Sequence, residues 1–260
     1  MDAGLDVIAL LLVAAAAAGW IDAVVGGGGL LLLPALLVAF PGTPVAQLLG
    51  TNKLAAIFGT SSAALTYARG LRLEPRIVWP TAGLALLGAG GGAALAGSIS
   101  SDALRPIVMV VLAVVLVLVV ARPTIGAVAD PSRLTPNRIV AAVLLAGAGV
   151  GFYDGIIGPG TGTFLIIALT TVTGLDFVSA SASAKIVNTA TNLGALAVFA
   201  WHGNVLWLLG LGLAACNVVG AQVGAHMALR RGTGFVRVVL VVVVVALLVR
   251  MGWEQVAGAL

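Results

Sequence analysis

The sequence predicts an all-α polytopic membrane protein made of two related halves. Of its 260 residues, 61% are apolar and only 8% are charged, whereas about a quarter of the residues in an ordinary soluble domain are charged. Long apolar runs, such as residues 107–120 between two arginines, indicate that lipid surrounds their outer faces. The chain also repeats itself at an offset of 132 residues.

The repeat includes the residues with the most informative chemistry. A gapless shift of 132 positions aligns Asp22 with Asp154 and Lys53 with Lys185. It also aligns Gly19 with Gly151, Gly26 with Gly158, Gly28 with Gly160, Gly88 with Gly220 and Arg105 with Arg237. We therefore divide the chain into a first membrane repeat, residues 1–125, and a second, residues 126–260, which together form one transmembrane domain.

Each half predicts five apolar helical elements, and the second of each is too short to cross a bilayer at about 1.5 Å per residue. The first half places them at residues 5–25, 30–40, 45–68, 77–99 and 104–121. The second half places them at residues 139–157, 162–172, 177–201, 205–229 and 235–249. Because no basic stretch precedes the first element, it predicts a retained helix and not a cleaved signal peptide.

Glycine-rich breaks and charged loops separate these elements. The glycines at residues 26–29 follow Asp22, and Gly158-Pro159-Gly160 follows Asp154, so a glycine-broken short helix comes after each aspartate. Basic loops lie at residues 69–76, 122–138 and 230–237. If each half crosses the membrane an odd number of times, all three basic loops share one side, as the positive-inside rule favours. This predicts inverted repeats with cytoplasmic basic loops and both termini outside.

Four charges lie inside the apolar elements: Asp22, Lys53, Asp154 and Lys185. A central charge costs roughly 2.5–3.5 kcal/mol on insertion scales. They are therefore expected to line a functional cavity, with Asp22 and Asp154 as proton-coupling candidates because a carboxylate beside such a site can take up and release a proton. The alternative is that Asp22 pairs with Lys53 and Asp154 with Lys185 as inert buried braces.

The candidate binding residues lie at the breaks and around the lysines. Unwound backbone at membrane depth is tolerated where it lines a cavity, and the positive ends of the following short helices favour anions. Lys185, Asn188 and Asn192 share one helical face. The full set of candidates is Lys53, Lys185, Asn52, Thr51, Asn188, Asn192, Gly27, Gly28, Gly29, Gly160, Thr161 and Gly162. Alternatively, the glycines only permit close packing and the asparagines join helices.

Other polar residues predict structural roles or no role in the site. His202 follows Trp201 in a turn and is typical of a membrane interface, while Gln222 and His226 face either the cavity or a neighbouring helix. Cys216 is the single cysteine, so no intrachain disulfide forms. The sequence contains no metal-ligand cluster, nucleophile elbow or phosphate-binding loop. We expect no enzymatic activity, no cofactor and no nucleic-acid partner.

The motifs together resemble the TauE/SafE sulfite exporter family over essentially the whole chain. Gly19-Trp20-Ile21-Asp22, the glycines at 26–29 and Gly50-Thr51-Asn52-Lys53-Leu54 resemble the family's first repeat. The segments 151–155 and 158–162, and Lys185 with Asn188 and Asn192, resemble its second. The resemblance implies a bacterial inner-membrane permease for small sulfur-containing anions such as sulfite or organosulfonates, often acting outward.

The expected function is therefore a proton-coupled secondary transporter that exports such an anion by alternating access. The anion would bind between the two glycine breaks near Lys53 and Lys185. An anion-selective channel, a transporter of another small carboxylate or oxyanion, and a passive helical scaffold are the alternatives. The expected partners are the anion, a proton and membrane lipid, and the chain is compatible with a homo-oligomer.

Overall fold

The computed structural model describes residues 4–71, 73–104, 107, 110 and 130–257. Within these residues the chain forms helices and no strands, which confirms the predicted all-α fold. The helices are α1 (Leu5–Val25), α2 (Gly29–Ala39), α3 (Val45–Gly70), α4 (Pro75–Ser98), α5 (Pro136–Ile156), α6 (Thr161–Thr173), α7 (Phe177–Trp201) and α8 (Trp207–Ala257). Residues Val143–Val150 of α5 are π-helical, a local widening that often accompanies functional sites.

The largest difference from the predicted elements is in α8. The sequence predicted a break between residues 205–229 and 235–249, but α8 continues through the basic stretch between them. That stretch contains no proline, and an isolated glycine costs a helix only about 1 kcal/mol, so helical hydrogen bonding continues. The predicted element at 104–121, apart from residues 104, 107 and 110, lies outside the described residues, as do Arg72, Arg105 and Arg122.

The described helices divide into apolar outer helices and polar inner ones. Four helical stretches are long and apolar enough to cross a membrane, namely α1, α4, α5 and the Trp207–Arg231 part of α8. Their large apolar side chains, such as Leu10, Leu87 and Leu208, are exposed. Most of the buried polar side chains instead belong to α3 and α7. A multi-pass membrane protein has this distribution, because lipid covers the outer helices and protein covers the inner polar groups.

The two halves contact each other through three pairs of reciprocal glycine contacts. A methyl group added to any of these glycines would overlap backbone atoms of the opposite half or, at Gly88, lie in tight contact with them. In each pair, the second contact is the first one shifted by 132 positions. The pairs are Gly19 on Asn217 with Gly151 on Ala85, Gly220 on Ala16 with Gly88 on Ala148, and Gly224 on Trp20 with Gly92 on Phe152. Such reciprocity relates the halves by an approximate two-fold axis.

The counterpart helices α3 and α7 cross in opposite directions. The Asn192 amide donates to the Thr60 hydroxyl at 3.4 Å, and these residues are themselves counterparts, so α3 and α7 cross at the two-fold axis. Gly50, nearer the start of α3, lies against Phe199, near the end of α7. The two crossing helices are therefore antiparallel.

We predict that Gly220→Ala destabilises the protein relative to Gly83→Ala. Both changes add the same helix propensity, but a methyl group on Gly220 overlaps the Ala16 carbonyl, whereas Gly83 has open space around it. Overpacking of this kind costs about 1–3 kcal/mol. Thermal unfolding in detergent measures the difference, and equal melting temperatures for the two variants would contradict the reciprocal packing.

Candidate functional site

The two glycine breaks meet at the centre of the molecule. Gly26 ends α1 with φ of 82°, and Gly158 and Gly160 shape the second break with φ of 90° and 83°. These left-handed conformations strain any residue with a side chain. The Thr163 N–H donates to the Gly26 carbonyl at 3.2 Å, and its hydroxyl donates to the Val25 carbonyl at 2.9 Å. The start of α6 is thereby joined to the end of α1.

Two tyrosine hydroxyls satisfy carbonyls beside the breaks. Tyr67 donates to the Ala23 carbonyl at 3.0 Å, and Tyr153 donates to the Pro159 carbonyl at 2.6 Å. Unwound backbone leaves carbonyls without helical partners, and an unpaired buried carbonyl is costly. These are the only two tyrosines of the chain, so both stabilise this region.

Each buried lysine pairs with the aspartate of the opposite half. Lys53 Nζ lies 2.6 Å from the Asp154 carboxylate, and Lys185 Nζ lies 2.9 Å from the Asp22 carboxylate. Lys185 also donates to the Asp22 backbone carbonyl. The side chains are 0–2% exposed, except for Asp22 at 15%. The alternative of braces within each half, Asp22 with Lys53 and Asp154 with Lys185, is therefore wrong.

The ion pairs border a small polar cavity between the breaks. Its volume is about 20 Å³, which is room for about one water molecule. The lining residues are Asp22, Gly26, Gly29, Asn52, Lys53, Ala56, Asp154, Gly158, Gly160, Thr161, Gly162, Asn188 and Asn192. Two carboxylates, amide groups and glycine backbone therefore surround one space with a lysine beside each carboxylate, and such a set can bind a small ion or move a proton.

Most of the predicted site residues come together at this cavity, and four do not line it. Thr51 donates to the Gln47 carbonyl at 2.6 Å and accepts from the Leu206 N–H at 2.9 Å, so it joins α3 to the segment before α8. Gly27 and Gly28 belong to the turn between α1 and α2. Lys185 reaches the cavity through its partner Asp22.

The backbone amides of Thr161 and Thr163, at the start of α6, donate to backbone carbonyls. The positive ends predicted for the short helices require free N–H groups directed into the site. Thr161 N–H instead donates to the Gly158 carbonyl at 3.2 Å, in addition to the bond from Thr163 to Gly26. These two amides stabilise the breaks, whereas Lys53 and the three asparagines bring side-chain donors to the cavity.

Two residues that contribute to this region, Ala56 and Asn217, were not predicted from the sequence. Ala56 has no polar group to identify it, although it lies one helical turn after Asn52 on the same face. Asn217 donates to the Ala15 carbonyl at 3.0 Å and joins α8 to α1.

Gln222 donates to the Ser62 hydroxyl, which places it against a neighbouring helix and not in the cavity. His202 is exposed, as expected for an interfacial residue.

Comparisons with known proteins agree on one family. Residues 11–251 match the family model described as Sulfite exporter TauE/SafE. A Sinorhizobium protein, probable membrane transporter protein ORF9, is 39% identical over 219 residues, which are 84% of this chain and 82% of that protein. A probable membrane transporter protein of Haemophilus influenzae is 33% identical over 255 residues, 98% of each chain. Probable membrane transporter protein YfcA of Escherichia coli K12 is 31% identical over 211 residues, 81% of this chain and 77% of that protein. No solved structure is significantly similar.

We predict that double-mutant cycles distinguish the two pairing schemes. Removing one member of a buried ion pair costs about 3–5 kcal/mol, because it leaves an unpaired charge, and removing both costs less. The cycle of Lys53→Met with Asp154→Leu should therefore show a coupling energy of about 3 kcal/mol or more in the free energy of unfolding. The cycle of Lys53→Met with Asp22→Leu should show much less, and the reverse order would refute cross-half pairing.

Proposed function

This chain belongs to the sulfite exporter TauE/SafE family, and we propose that it exports a small sulfur-containing anion as a proton-coupled secondary transporter. Its relatives are named as membrane transporters, so the chain is a membrane transporter and not an enzyme, as the sequence predicted. The proposal adds the substrate class, the coupled proton and the mechanism. The two buried lysine–aspartate pairs beside the cavity carry it.

The substrate would bind by replacing a carboxylate as the partner of a lysine. A buried lysine without a partner costs several kcal/mol, so it is retained where an anion compensates it. In this structure the Asp154 and Asp22 carboxylates provide that compensation. A hydrogensulfite ion or a sulfonate group carries the same single charge as a carboxylate and presents oxygens to the same ammonium donors. Asn52, Asn188 and Asn192 would supply further hydrogen bonds from the cavity wall.

The displaced carboxylate would take up the coupled proton. Once its lysine binds the substrate, Asp154 or Asp22 would be an isolated buried charge, and protonation removes that cost. The net charge of the two lysines and two aspartates is zero, and it stays zero when one monoanion and one proton enter together. We therefore propose that the anion and proton move in the same direction, one proton for each negative charge. Export is then driven by the outward gradient of the anion, and an imposed proton gradient drives flux in its own direction.

The size of the cavity supports alternating access. About 20 Å³ holds a water molecule but not an oxyanion, so substrate binding requires the helices around the breaks to separate. A carrier undergoes such a change in every cycle. An anion channel would need the same lysines and, in addition, a continuous open passage. A passive scaffold would need neither the lysines nor a passage.

The proposed location is the bacterial inner membrane, with the two halves inverted. If α3 and α7 run across the membrane, a two-fold axis that relates these antiparallel helices lies in the membrane plane, which supports inversion. The Arg69 end of α3 would face the cytoplasm together with the other basic loops. Both termini would then lie outside, which for the C-terminus requires the chain to turn back at the basic stretch where α8 is continuous in this structure.

We predict uphill anion flux driven by a proton gradient in proteoliposomes. Sulfite, sulfoacetate, taurine, thiosulfate and sulfate are the compounds to compare. Lys53→Met and Lys185→Met should reduce flux by about 100-fold or more, since an unpaired carboxylate then repels the anion, at an effect of roughly 3 kcal/mol. Asp22→Asn or Asp154→Asn should retain some downhill flux but lose the response to pH gradient.

The matched control is His202→Ala, which lies outside the cavity and should transport normally. Flux that only runs downhill and ignores the proton gradient would indicate a channel. Unchanged flux in both lysine variants would indicate that the lysines are structural and overturn the proposed site.

We also predict an external C-terminus. A reporter that is active only in the cytoplasm should be inactive when fused after Leu260 and active when inserted in the loop between α3 and α4. Activity of the C-terminal fusion would contradict the predicted turn at residues 230–237 and agree with an unbroken α8.

A further inference from the structure

We propose that the two crosswise ion pairs are the two gates of the transporter, with Lys53–Asp154 closing the cavity toward the outside and Lys185–Asp22 closing it toward the cytoplasm. This inference rests on the proposed transport function. It assigns a separate position and a separate role to two pairs that the repeat makes equivalent. In this structure both pairs are formed, at 2.6 and 2.9 Å.

The positions of the lysines follow from the crossing of α3 and α7. Thr60 and Asn192 mark the crossing, and each lysine lies seven residues before its own helix reaches that point. Seven residues correspond to about 10 Å along a helix. Because α3 and α7 are antiparallel, Lys53 and Lys185 lie on opposite sides of the crossing. The cavity between them is bordered by Asp154 on one side and Asp22 on the other.

A second set of contacts places Asp22 independently. Tyr67 lies seven residues after Thr60 on α3, on the opposite side of the crossing from Lys53. Its hydroxyl donates to the carbonyl of Ala23, the residue after Asp22. The Lys185–Asp22 pair therefore lies toward Arg69 and the basic loop. Given cytoplasmic basic loops, this pair faces the cytoplasm and Lys53–Asp154 faces the outside.

Each pair fastens one glycine-broken hairpin to a long helix of the other half. Lys53 on α3 holds the end of α5, next to the break that leads into α6. Lys185 on α7 holds the end of α1, next to the break that leads into α2. Separating one pair frees one hairpin on one side and leaves the other hairpin fixed. The breaks supply the backbone freedom for such a movement, since hinges are short segments that absorb changes in φ and ψ.

The buried location of the pairs favours opening one gate at a time. Separating a pair in a low-dielectric interior leaves two charges to be compensated, and one monoanion with one proton compensates a single pair. Asp22 is 15% exposed and Asp154 is 2% exposed, so the cytoplasmic gate is the less tightly sealed in this structure. A single substrate and proton therefore open one gate while the other stays closed.

Cysteine accessibility tests the assignment. Ala56 lines the cavity, so Ala56→Cys in a Cys216→Ala background gives a single thiol at the site. A membrane-impermeant maleimide is applied to right-side-out or inside-out vesicles of the full chain. Asp154→Asn should raise the labelling rate about tenfold from the outside only, and Asp22→Asn about tenfold from the cytoplasmic side only, as expected for a bias of roughly 1.4 kcal/mol in the open population.

The control is Asp130→Asn, which breaks the exposed Asp130–Arg133 pair and should leave labelling unchanged. The swapped variant Lys53→Asp with Asp154→Lys restores an ion pair of reversed direction and should return outside labelling to its starting rate. Both variants raising labelling from the same side, or neither raising it in folded protein, would overturn the gate assignment. If the single variants do not fold, the swapped variant provides the test. Faster labelling from the outside in the swapped variant than in the Ala56→Cys parent overturns the gate assignment.

Flux of sulfur anions in the same vesicles separates the two proposals. If the parent protein with intact aspartates shows proton-driven flux, but labelling of the aspartate variants does not depend on the side, the gates are refuted and the transporter proposal stands. Sided labelling with no flux of any sulfur anion refutes the transport proposal, while the two pairs still control access to the cavity.

Discussion

The ion pair between each lysine and the aspartate of the opposite half is the constraint on which this structure depends. A charge transferred into a low-dielectric interior costs several kcal/mol unless a partner compensates it. Lys53 finds that partner on α5 and Lys185 finds it on α1. Neither half can therefore bury its own lysine at low cost alone, and the halves interlock instead of folding as separate units. The reciprocal glycine contacts bring the backbones close enough for these pairs to form.

The same constraint explains how unwound backbone is tolerated at membrane depth. The breaks lie beside the ion pairs and most of their residues are buried, so their carbonyls must find donors within the chain. Tyr67, Tyr153 and Thr163 provide them. A site of this kind combines movable backbone with fixed charges. That combination suits a carrier, which needs both recognition and a change of access.

The two halves are equivalent at the ion pairs but not at the interfaces behind them. In one interface, Asn217 of α8 bonds the α1 backbone and Gln222 bonds Ser62 of α3. The corresponding positions in the other interface are Ala85, Gly90 and Gly194, which have no side-chain hydrogen-bonding groups. Both interfaces have close glycine packing, and at these positions side-chain hydrogen bonds are added only in the first. The duplicated chain thus preserved its charges while the supporting contacts diverged.

The sequence by itself determined the membrane class, the repeat, the breaks and most cavity residues, because apolar length, glycine runs and charges within apolar segments are local properties. Helix bounds such as 5–25 and 177–201 match the structure for that reason. The partner of each lysine depended on the tertiary structure. Asp22 and Asp154 are counterparts in the repeat, so the sequence alone does not distinguish them as partners for Lys53. The antiparallel crossing of α3 and α7 in the tertiary structure selects Asp154. The role of Thr51 was likewise decided by a distant backbone amide, that of Leu206, which no local pattern reveals.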